Sequence, residues 1–532
     1  FSSEELHEDS PVSAVQIGDP ITQKKMTDFL LMARDRGLYR AITDNGAGGL
    51  SSSVGEMAGM SGGAELELSN APLKYAGLAP WEILLSEAQE RMSLAIPPES
   101  IDEFMALARK MEVEATVLGT FTDSGKFHVR YGGKTAACLD MKFLHEGVPQ
   151  MRLTARWVPP RHPEPGFPEP ADYGSALRSM LSRLNICSKE SVVRQYDHEV
   201  QGGSVVKPLV GAANDGPSDA AVIRPVLESF EGVVVANGIC PRYGDIDAWH
   251  MAACAIDEAV RNAVAVGGSP DRLAGLDNFC WCDPVQSEKT PDGHYKLAQL
   301  VRANLALHEL TLIYGVPCIS GKDSMKNDYQ IGDTKISIPP TLLFSVIGRI
   351  EDVRRAVTMD AKRAGDLVYV LGETKRELGG SEWYALHGFV GNDVPKVDGE
   401  RALALYRALA KAIREGLVAS CHDCSDGGLG VALAETAFAG GLGMDVDLAA
   451  VPASGIARDD EALFSESQSR FVATVRPEKK AAFEAALAGN TLACVGAVTD
   501  DGLFRVRGLR GGVILEEKIE ELKEAWQRTL RF

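Results

Sequence analysis

His422-Asp423-Cys424-Ser425-Asp426-Gly427-Gly428-Leu429 and Thr43-Asp44-Asn45-Gly46-Ala47-Gly48-Gly49-Leu50 are two versions of one stretch, and their spacing decides how the chain is read. Asp423 follows Asp44 by 379 positions, and Gly427-Gly428-Leu429 follows Gly48-Gly49-Leu50 by the same interval. A second pair of blocks keeps that register. Leu84-Leu85-Ser86-Glu87-Ala88-Gln89-Glu90-Arg91 aligns with Leu463-Phe464-Ser465-Glu466-Ser467-Gln468-Ser469-Arg470. Two separated blocks in one register mark an internal duplication, and self-similarity of this kind outranks any single element in setting the architecture.

Around these blocks the chain alternates strands and helices. A helical pattern runs from Thr22 to about Arg36, a short strand Tyr39–Ile42 leads into Asp44, and the glycines turn the chain into a helix from Leu50. Strands near 64–68, 92–96, 115–121 and 126–131 and a helix at 100–111 complete a first α/β unit. Residues 157–171 carry six prolines, a density that excludes regular structure and reads as an extended connector. Two short helical segments follow, then a new region with strand Gly232–Ala236, a long helix Trp249–Val266, a helix at 297–310 and a strand Thr341–Ile347. From about Gly365 the first domain begins again, with strand Leu367–Leu371 and helix Leu403–Glu415. The expected division is 1–156, a C-type domain; 157–200, the proline-rich linker with short helices; 201–355, an N-type domain; and 356–532, a second C-type domain. A two-domain module used twice would open with an N-type domain, so a further such domain is expected ahead of the first residue.

The 532 residues suit several domains, each with a real core. A net charge of −19 argues against nucleic acid, whose phosphates call for clustered Lys and Arg. No apolar run approaches the roughly 18 residues of a membrane span. Ten scattered cysteines fit a reducing cytoplasm better than a disulfide framework, and Cys421/Cys424 has no second pair at zinc-finger spacing.

Three places can carry chemistry. A strand ending in Asp with Gly-Gly opening a helix suits a phosphate and its metal: the carboxylate takes Mg²⁺ and the glycines let backbone N–H groups approach phosphate. The same residues also make an ordinary capped turn. Glu258 and Asn262, four apart, share one face of a helix that is otherwise apolar or small. On a buried helix such groups need partners, and a metal is one solution. Gly315 to Ser324 misses the P-loop spacing and has Asp after Lys322, which rules out a Walker A site and leaves a plain loop or a phosphate-holding turn. No nucleophile elbow or His-Glu-x-x-His motif occurs, and His422 beside its turn reads as structural.

Taken together, Val15–Pro20, Thr43–Leu50, Leu85–Arg91, Tyr196–Gly203, Gly275–Phe279, Ser320–Asn327 and His422–Leu429 make the chain resemble phosphoribosylformylglycinamidine synthase, within the wider aminoimidazole ribonucleotide synthetase-like superfamily. The resemblance implies an α/β (α+β) fold of tandem modules. It also implies a ligase reaction of purine biosynthesis: ATP activates formylglycinamide ribonucleotide as an iminophosphate, and ammonia from a separate glutaminase subunit displaces phosphate. It implies Mg²⁺ and ATP or ADP as bound groups, a cytoplasmic setting, and neither membrane nor nucleic acid as partner.

Carried over residue by residue, Gln16, Glu87, Ala88, Gln89 and Ser324 match substrate contacts, Asp44 a metal ligand beside them, and Asp277 and Gly321 nucleotide contacts. A second, non-turning-over nucleotide site takes Asp219, Glu258, Asn262 and Asp423 as metal ligands, with Ser218 and Ser425 near the phosphates. The family's catalytic His belongs to an N-terminal domain that these residues do not include, so no catalytic residue is assigned and this polypeptide alone is expected to be inactive. A non-catalytic nucleotide-binding or regulatory module, or another amide- or acid-phosphorylating enzyme of the superfamily, is the alternative.

Overall fold

The computed structural model describes the backbone of residues 15–16 and all of 18–197 and 199–532. The chain forms two compact units, one ending at Leu153 and including Asp328–Ile336, the other made of Thr154–Asn327 and Ser337–Phe532.

In the second unit a six-stranded sheet runs in the order Cys318–Ser324, Leu273–Cys280, Thr341–Ile350, Gly232–Ile239, Ala221–Ile223, Ser204–Val206. Only the first pair is parallel. Alternate residues of Gly232–Ile239 are buried, and on that face lies the helix Ala248–Ala265, whose Ala252, Ala253, Ala255, Ala259 and Ala263 are fully buried. The small side chains have a purpose: a Cβ at Gly238 would collide with Ala255 O and stand 2.8 Å from Ala259 N. Helix and sheet therefore approach almost backbone to backbone, which brings Glu258 and Asn262 against the end of the strand. Cys318–Ser324 is regular strand, so the turn expected at 320–324 is corrected. Leu273–Cys280 supplies a parallel neighbour that pairs Asp277 with Gly321, and this pairing satisfies the backbone of a segment too polar to look like strand.

The second sheet of this unit has seven strands, ordered Ser420–Asp423, Phe471–Val475, Leu367–Leu371, Leu492–Thr499, Gly443–Asp447, Leu503–Arg507, Val513–Lys518. Leu367–Leu371 pairs with Phe471–Val475 on one side and Leu492–Thr499 on the other, knitting two half-sheets into one.

The first unit repeats the pieces. Ala41–Asp44 pairs with Met92–Ala95, and Gly119–Thr122, Gly63–Glu67, Lys126–Tyr131 and Lys134–Asp140 form a four-stranded sheet. Helices Pro20–Asp35, Gly49–Ser61, Pro80–Leu85 and Ile101–Lys110 answer Gly399–Arg414, Gly428–Gly440, Asp459–Phe464 and Lys480–Ala486. The repeat extends to single torsions. Gly48 and Gly427 have φ of 83° and 82°, and the non-glycine pair Glu90 and Ser469, again 379 apart, has φ of 53° and 60°. A Cβ on Gly49 would strike Ser86 O, and one on Gly428 would strike Ser465 O. The recurrent Gly-Gly is thus demanded by the close approach of the Ser-Glu-x-Gln loop. The arginine closing each block donates to that same serine carbonyl, Arg91 at 2.5 Å and Arg470 at 2.7 Å.

Residues 157–171 contain no helix or strand, as the prolines require. Of the two short helical segments expected after the linker, the second is only Glu190–Val193, and the strand expected at 115–121 begins only at Gly119.

Candidate functional site

Asp423 is the last residue of its strand, and the left-handed glycines Gly427 and Gly428 turn the chain at once into the helix Gly428–Gly440. This geometry presents Asp423 and His422 to Asp219. Asp219 Oδ1 accepts from His422 Nδ1 at 2.8 Å and from Asp423 N at 2.9 Å, while His422 Nε2 lies 2.9 Å from Glu435 Oε2. The ligand-type atoms of Asp219, His422 and Asp423 all fall within 4.8 Å of one another. Burial disfavours a charged His422, but the carboxylates on both ring nitrogens outweigh it and raise the imidazole well above its ordinary value. His422 bridges Asp219 and Glu435 through its two ring nitrogens and so orients Asp219. Sequence reading took it as structural and missed that role; Asp219, 203 positions away, gave no local signal.

On the facing helix Glu258 Oε2 accepts from Ile239 N at 2.9 Å, and Asn262 Nδ2 donates to Asn237 O at 3.2 Å. Two oxygens are left over: Asp219 Oδ2 and Asn262 Oδ1 are buried without a hydrogen-bond partner. The carboxylates confirm a shortage of positive charge. Burial first, then Asp423, pushes Glu258 up to about 8. Asp423 rises to about 6 by burial, opposed by Arg261. Asp426 rises to about 7 and Glu466 to about 8, burial leading in both. Oxygen donors with unfilled valence and mutually repelling carboxylates are what a hard divalent cation satisfies, and Mg²⁺ suits this set better than a softer, nitrogen- or sulfur-seeking metal. Of the four residues expected to hold a metal, the structure brings Asp219 and Asp423 together, beside His422; Glu258 lies outside that 4.8 Å cluster, on the facing helix that also carries Asn262.

Ser218 and Ser425 flank the acids. Ser218 Oγ donates to Ala220 O at 3.1 Å and Ser425 Oγ to Asp423 Oδ1 at 3.5 Å, while Ser425 O closes the turn with Gly428 N.

Behind the cluster is a buried ionic hub with no sequence signature. Arg261, fully buried, donates to Asp257 Oδ2 at 2.5 Å, to Asp423 Oδ2 at 3.3 and 3.2 Å and to Gln468 Oε1 at 3.1 Å. Asp257 also accepts from Tyr314 Oη and Tyr406 Oη, each at 2.6 Å, and from Ser469 N and Oγ. The left-handed Ser469 owes its usefulness to its strain, since it offers both donors to one carboxylate. Glu466 meanwhile accepts from Gly427 N, Glu382 N and Tyr243 Oη at 2.8–2.9 Å, fixing the glycine turn.

The other assigned residues lie elsewhere. Asp277 and Gly321 are neighbours across the parallel strands, with Asp277 raised by burial and by Asp323, and Ser324 ends the same strand with its Oγ 3.2 Å from Asn327 Oδ1. In the first unit Asp44 is exposed, its Oδ1 accepting from Gly46 N at 2.9 Å. Glu87, Ala88 and Gln89 lie on the loop against which Gly49 packs, and Asn45 N bonds Arg91 O, so Asp44 and this loop share one edge. Gln16 pairs with Ala88 by backbone register; its side chain lies outside the described residues.

This architecture is that of a duplicated chain of the AIR synthase class. The model of the AIR synthase related protein C-terminal domain matches twice, over residues 1–132 and 363–508. The phosphoribosylformylglycinamidine synthase subunit PurL of Thermoplasma acidophilum is 32% identical over 520 residues, covering 97% of this chain and 66% of the relative. That of Alkaliphilus metalliredigens is 34% identical over 543 residues, covering 100% and 70%. The chain belongs to the phosphoribosylformylglycinamidine synthase subunit PurL family, and it spans about two thirds of the length of these relatives. In fold it resembles Thermotoga maritima PurL complexed with FGAR (TM-score 0.62, 21% identity, covering 91% of this chain and 66% of that one). The same protein complexed with ATP gives a TM-score of 0.59 at 20% identity, covering 93% and 69%.

Proposed function

We propose that this chain serves the ATP-dependent amidation of formylglycinamide ribonucleotide (FGAR) to formylglycinamidine ribonucleotide (FGAM) in purine biosynthesis, and that its second unit holds a nucleotide through Mg²⁺ at Asp219, Glu258, Asn262 and Asp423. One observation carries the second claim: two buried oxygens without partners, Asp219 Oδ2 and Asn262 Oδ1, beside carboxylates raised to about 6 and 8. Membership of the family, and relatives solved with FGAR and with ATP, support the first.

In the reaction the amide oxygen of FGAR takes the γ-phosphoryl group of ATP, ADP leaves, and ammonia displaces phosphate from the resulting iminophosphate. Bound Mg²⁺ would supply charge neutralisation to the nucleotide phosphates. The chain's own residues supply position. His422 aims Asp219, Arg261 holds Asp423 from behind, and the left-handed Gly427 and Gly428 turn the chain into the head of a helix, where phosphate is favoured. In the first unit Asp44 and the Glu87–Gln89 loop form the face assigned to FGAR, and Asp277, Gly321 and Ser324 the remaining nucleotide and substrate contacts. Ammonia comes from a separate glutaminase subunit, and a cytoplasmic setting, in keeping with ten unpaired cysteines, completes the reading.

Equilibrium dialysis tests the nucleotide site. ADP should bind in a Mg²⁺-dependent manner and be lost in Asp219→Asn and Asp423→Asn; binding that ignores both the metal and these changes refutes it. For the reaction, FGAR should bind the chain in the same assay and be lost in Asp44→Asn, and no saturable FGAR binding refutes the assignment; the isolated chain given FGAR, ATP and ammonium is expected to make no FGAM, and product formed would refute that expectation.

A further inference from the structure

A cavity of about 250 Å³ opens between Arg355, Lys362, Arg476, Lys479 and the loop 416–419. Four cations and no acid line it, in a chain whose net charge is −19. The cations are unequally committed. Lys362 pairs with Asp360 at 2.5 Å, and Lys479 donates to the Gly416 carbonyl. The guanidinium groups of Arg355 and Arg476 make no hydrogen bond or ion pair among the described residues. The acids near them are occupied or withdrawn: Asp352 is gripped by Arg354 through two bonds of 2.8 Å, and Asp366, raised by burial and within the influence of Arg476, leaves both oxygens unbonded. Glu478, near Asp366, is exposed and does not line the cavity.

For Arg476, Lys479 and the loop 416–419 the duplication offers a comparison; Arg355 and Lys362 precede the repeated register. In the 379-residue register Arg476 and Lys479 correspond to Pro97 and Ser100, and Gly416–Ala419 to Gly37–Arg40. The first copy keeps the left-handed glycine, with φ of 68° at Gly37 and 71° at Gly416. Its one cation at these positions, Arg40, faces Glu99 at 3.6 Å. Arg476 and Lys479 are thus particular to the second copy.

We propose that this cavity binds a small phosphate-bearing anion, gripped by the forked guanidiniums of Arg355 and Arg476 with Lys362 and Lys479 at the margin, at a site separate from Asp219 and Asp423. Two free guanidiniums suit paired phosphate oxygens. The volume, just under the roughly 300–1,000 Å³ of drug-sized ligand pockets, suits a phosphate or pyrophosphate group rather than a whole nucleotide. The site is placed to matter. The loop 416–419 runs directly into the strand Ser420–Asp423, and Arg476 follows its partner Phe471–Val475. At about 3.3 Å per residue, occupancy is felt about 13 Å from Asp423 along two paired strands.

Calorimetric titration of inorganic pyrophosphate into the chain, without divalent cations and at constant ionic strength, tests this. Saturable binding is expected, weakened at least about tenfold in Arg355→Gln/Arg476→Gln and unchanged in Asp423→Asn. No saturable binding below about 10 mM, or equal binding by the double variant, overturns the proposal. So does loss in Asp423→Asn alone, which assigns the anion to the nucleotide site. Binding of poly-glutamate but not pyrophosphate, with the same arginine dependence, overturns it in favour of an acidic protein partner. Thermal melts control for folding; if the double Gln variant melts early, Arg355→Lys/Arg476→Lys replaces it, keeping the charge but losing the fork, and is expected to bind several-fold more weakly.

Discussion

Replacing Arg261 by Met removes the one side chain that neutralises two buried carboxylates at once. The guanidinium is fully buried and bonded to Asp257, Asp423 and Gln468. Asp257 would keep its tyrosine hydroxyls and Ser469. Asp423 would keep no donor closer than Ser425 Oγ at 3.5 Å. Removing one partner of a buried pair costs about 3–5 kcal/mol, because a charge is left without compensation. At about 1 °C per kcal/mol for a chain of this size, the melting temperature should fall by about 3–5 °C. Arg261 also holds Asp423 down against burial, so its loss should drive Asp423 further above about 6 and leave it protonated at neutral pH. Mg²⁺ can supply the missing charge at pH 8, where it competes with few protons. Scanning calorimetry at pH 8, with and without Mg²⁺, should therefore show a large deficit for Arg261→Met in the metal-free state and partial recovery with the ion. A metal-free melting temperature within about 1 °C of the parent would refute the reasoning, since no buried pair of this kind is that cheap to break.

Glu466 and Glu258, both raised to about 8, lie above the ordinary carboxylate value, so their contribution to stability is complete below about pH 4.5 and is lost as pH climbs through 8. Melting temperature without metal should fall from pH 6 to pH 8.5, and Glu466→Gln, which mimics the neutral acid, should flatten that slope; an unchanged slope counts against the assignment. Gly428→Ala drives a Cβ into Ser465 O at a left-handed φ of 67° and should cost at least about 2 kcal/mol by chemical denaturation, whereas Gly441→Ala, with nothing within 4 Å of the added carbon, should cost about 1 kcal/mol. Adding EDTA to Mg²⁺-loaded protein at pH 8 should lower the melting temperature of the parent and leave Asp219→Asn unmoved, and an equal shift in both would remove Asp219 from the ligand set.

How much of this could be read from residues alone depended on distance along the chain. The duplication was legible because it is a linear property, and Gly48-Gly49 with Gly427-Gly428 announced the turns. Glu258 and Asn262 were legible as a pair because helical spacing makes them neighbours. The hub around Asp257 was not: Tyr314, Tyr406 and Ser469 lie 57, 149 and 212 positions away, and no local pattern connects them. His422 was set aside because a lone His beside a turn is more often structural, and of its two partners Asp219 stands 203 positions away, just before the strand Ala221–Ile223. Ser320–Ser324 read as a turn because Gly, Lys, Asp and Ser are turn formers, and parallel pairing with Leu273–Cys280 overrode that propensity.

The two copies of the opening motif share torsions and turn glycines and differ in what surrounds them, and that difference is where function has diverged. The Asp44 side chain is exposed and accepts from Gly46 N of its own turn, while Asp423 is buried, braced by Arg261 and raised to about 6. Where the first copy has the half-buried Glu87 on the strand Glu87–Ala88, the second has Glu466 locked by Gly427, Glu382 and Tyr243. An exposed carboxylate can meet a substrate that comes and goes at little cost. A buried one raises the energy of the fold unless a cation stays with it. On the reading proposed above, the one motif therefore serves an exchanging face in its first copy and a held cation in its second. What sets the copies apart lies largely outside the motif, in Arg261, in His422's partner Asp219 and in the hub at Asp257.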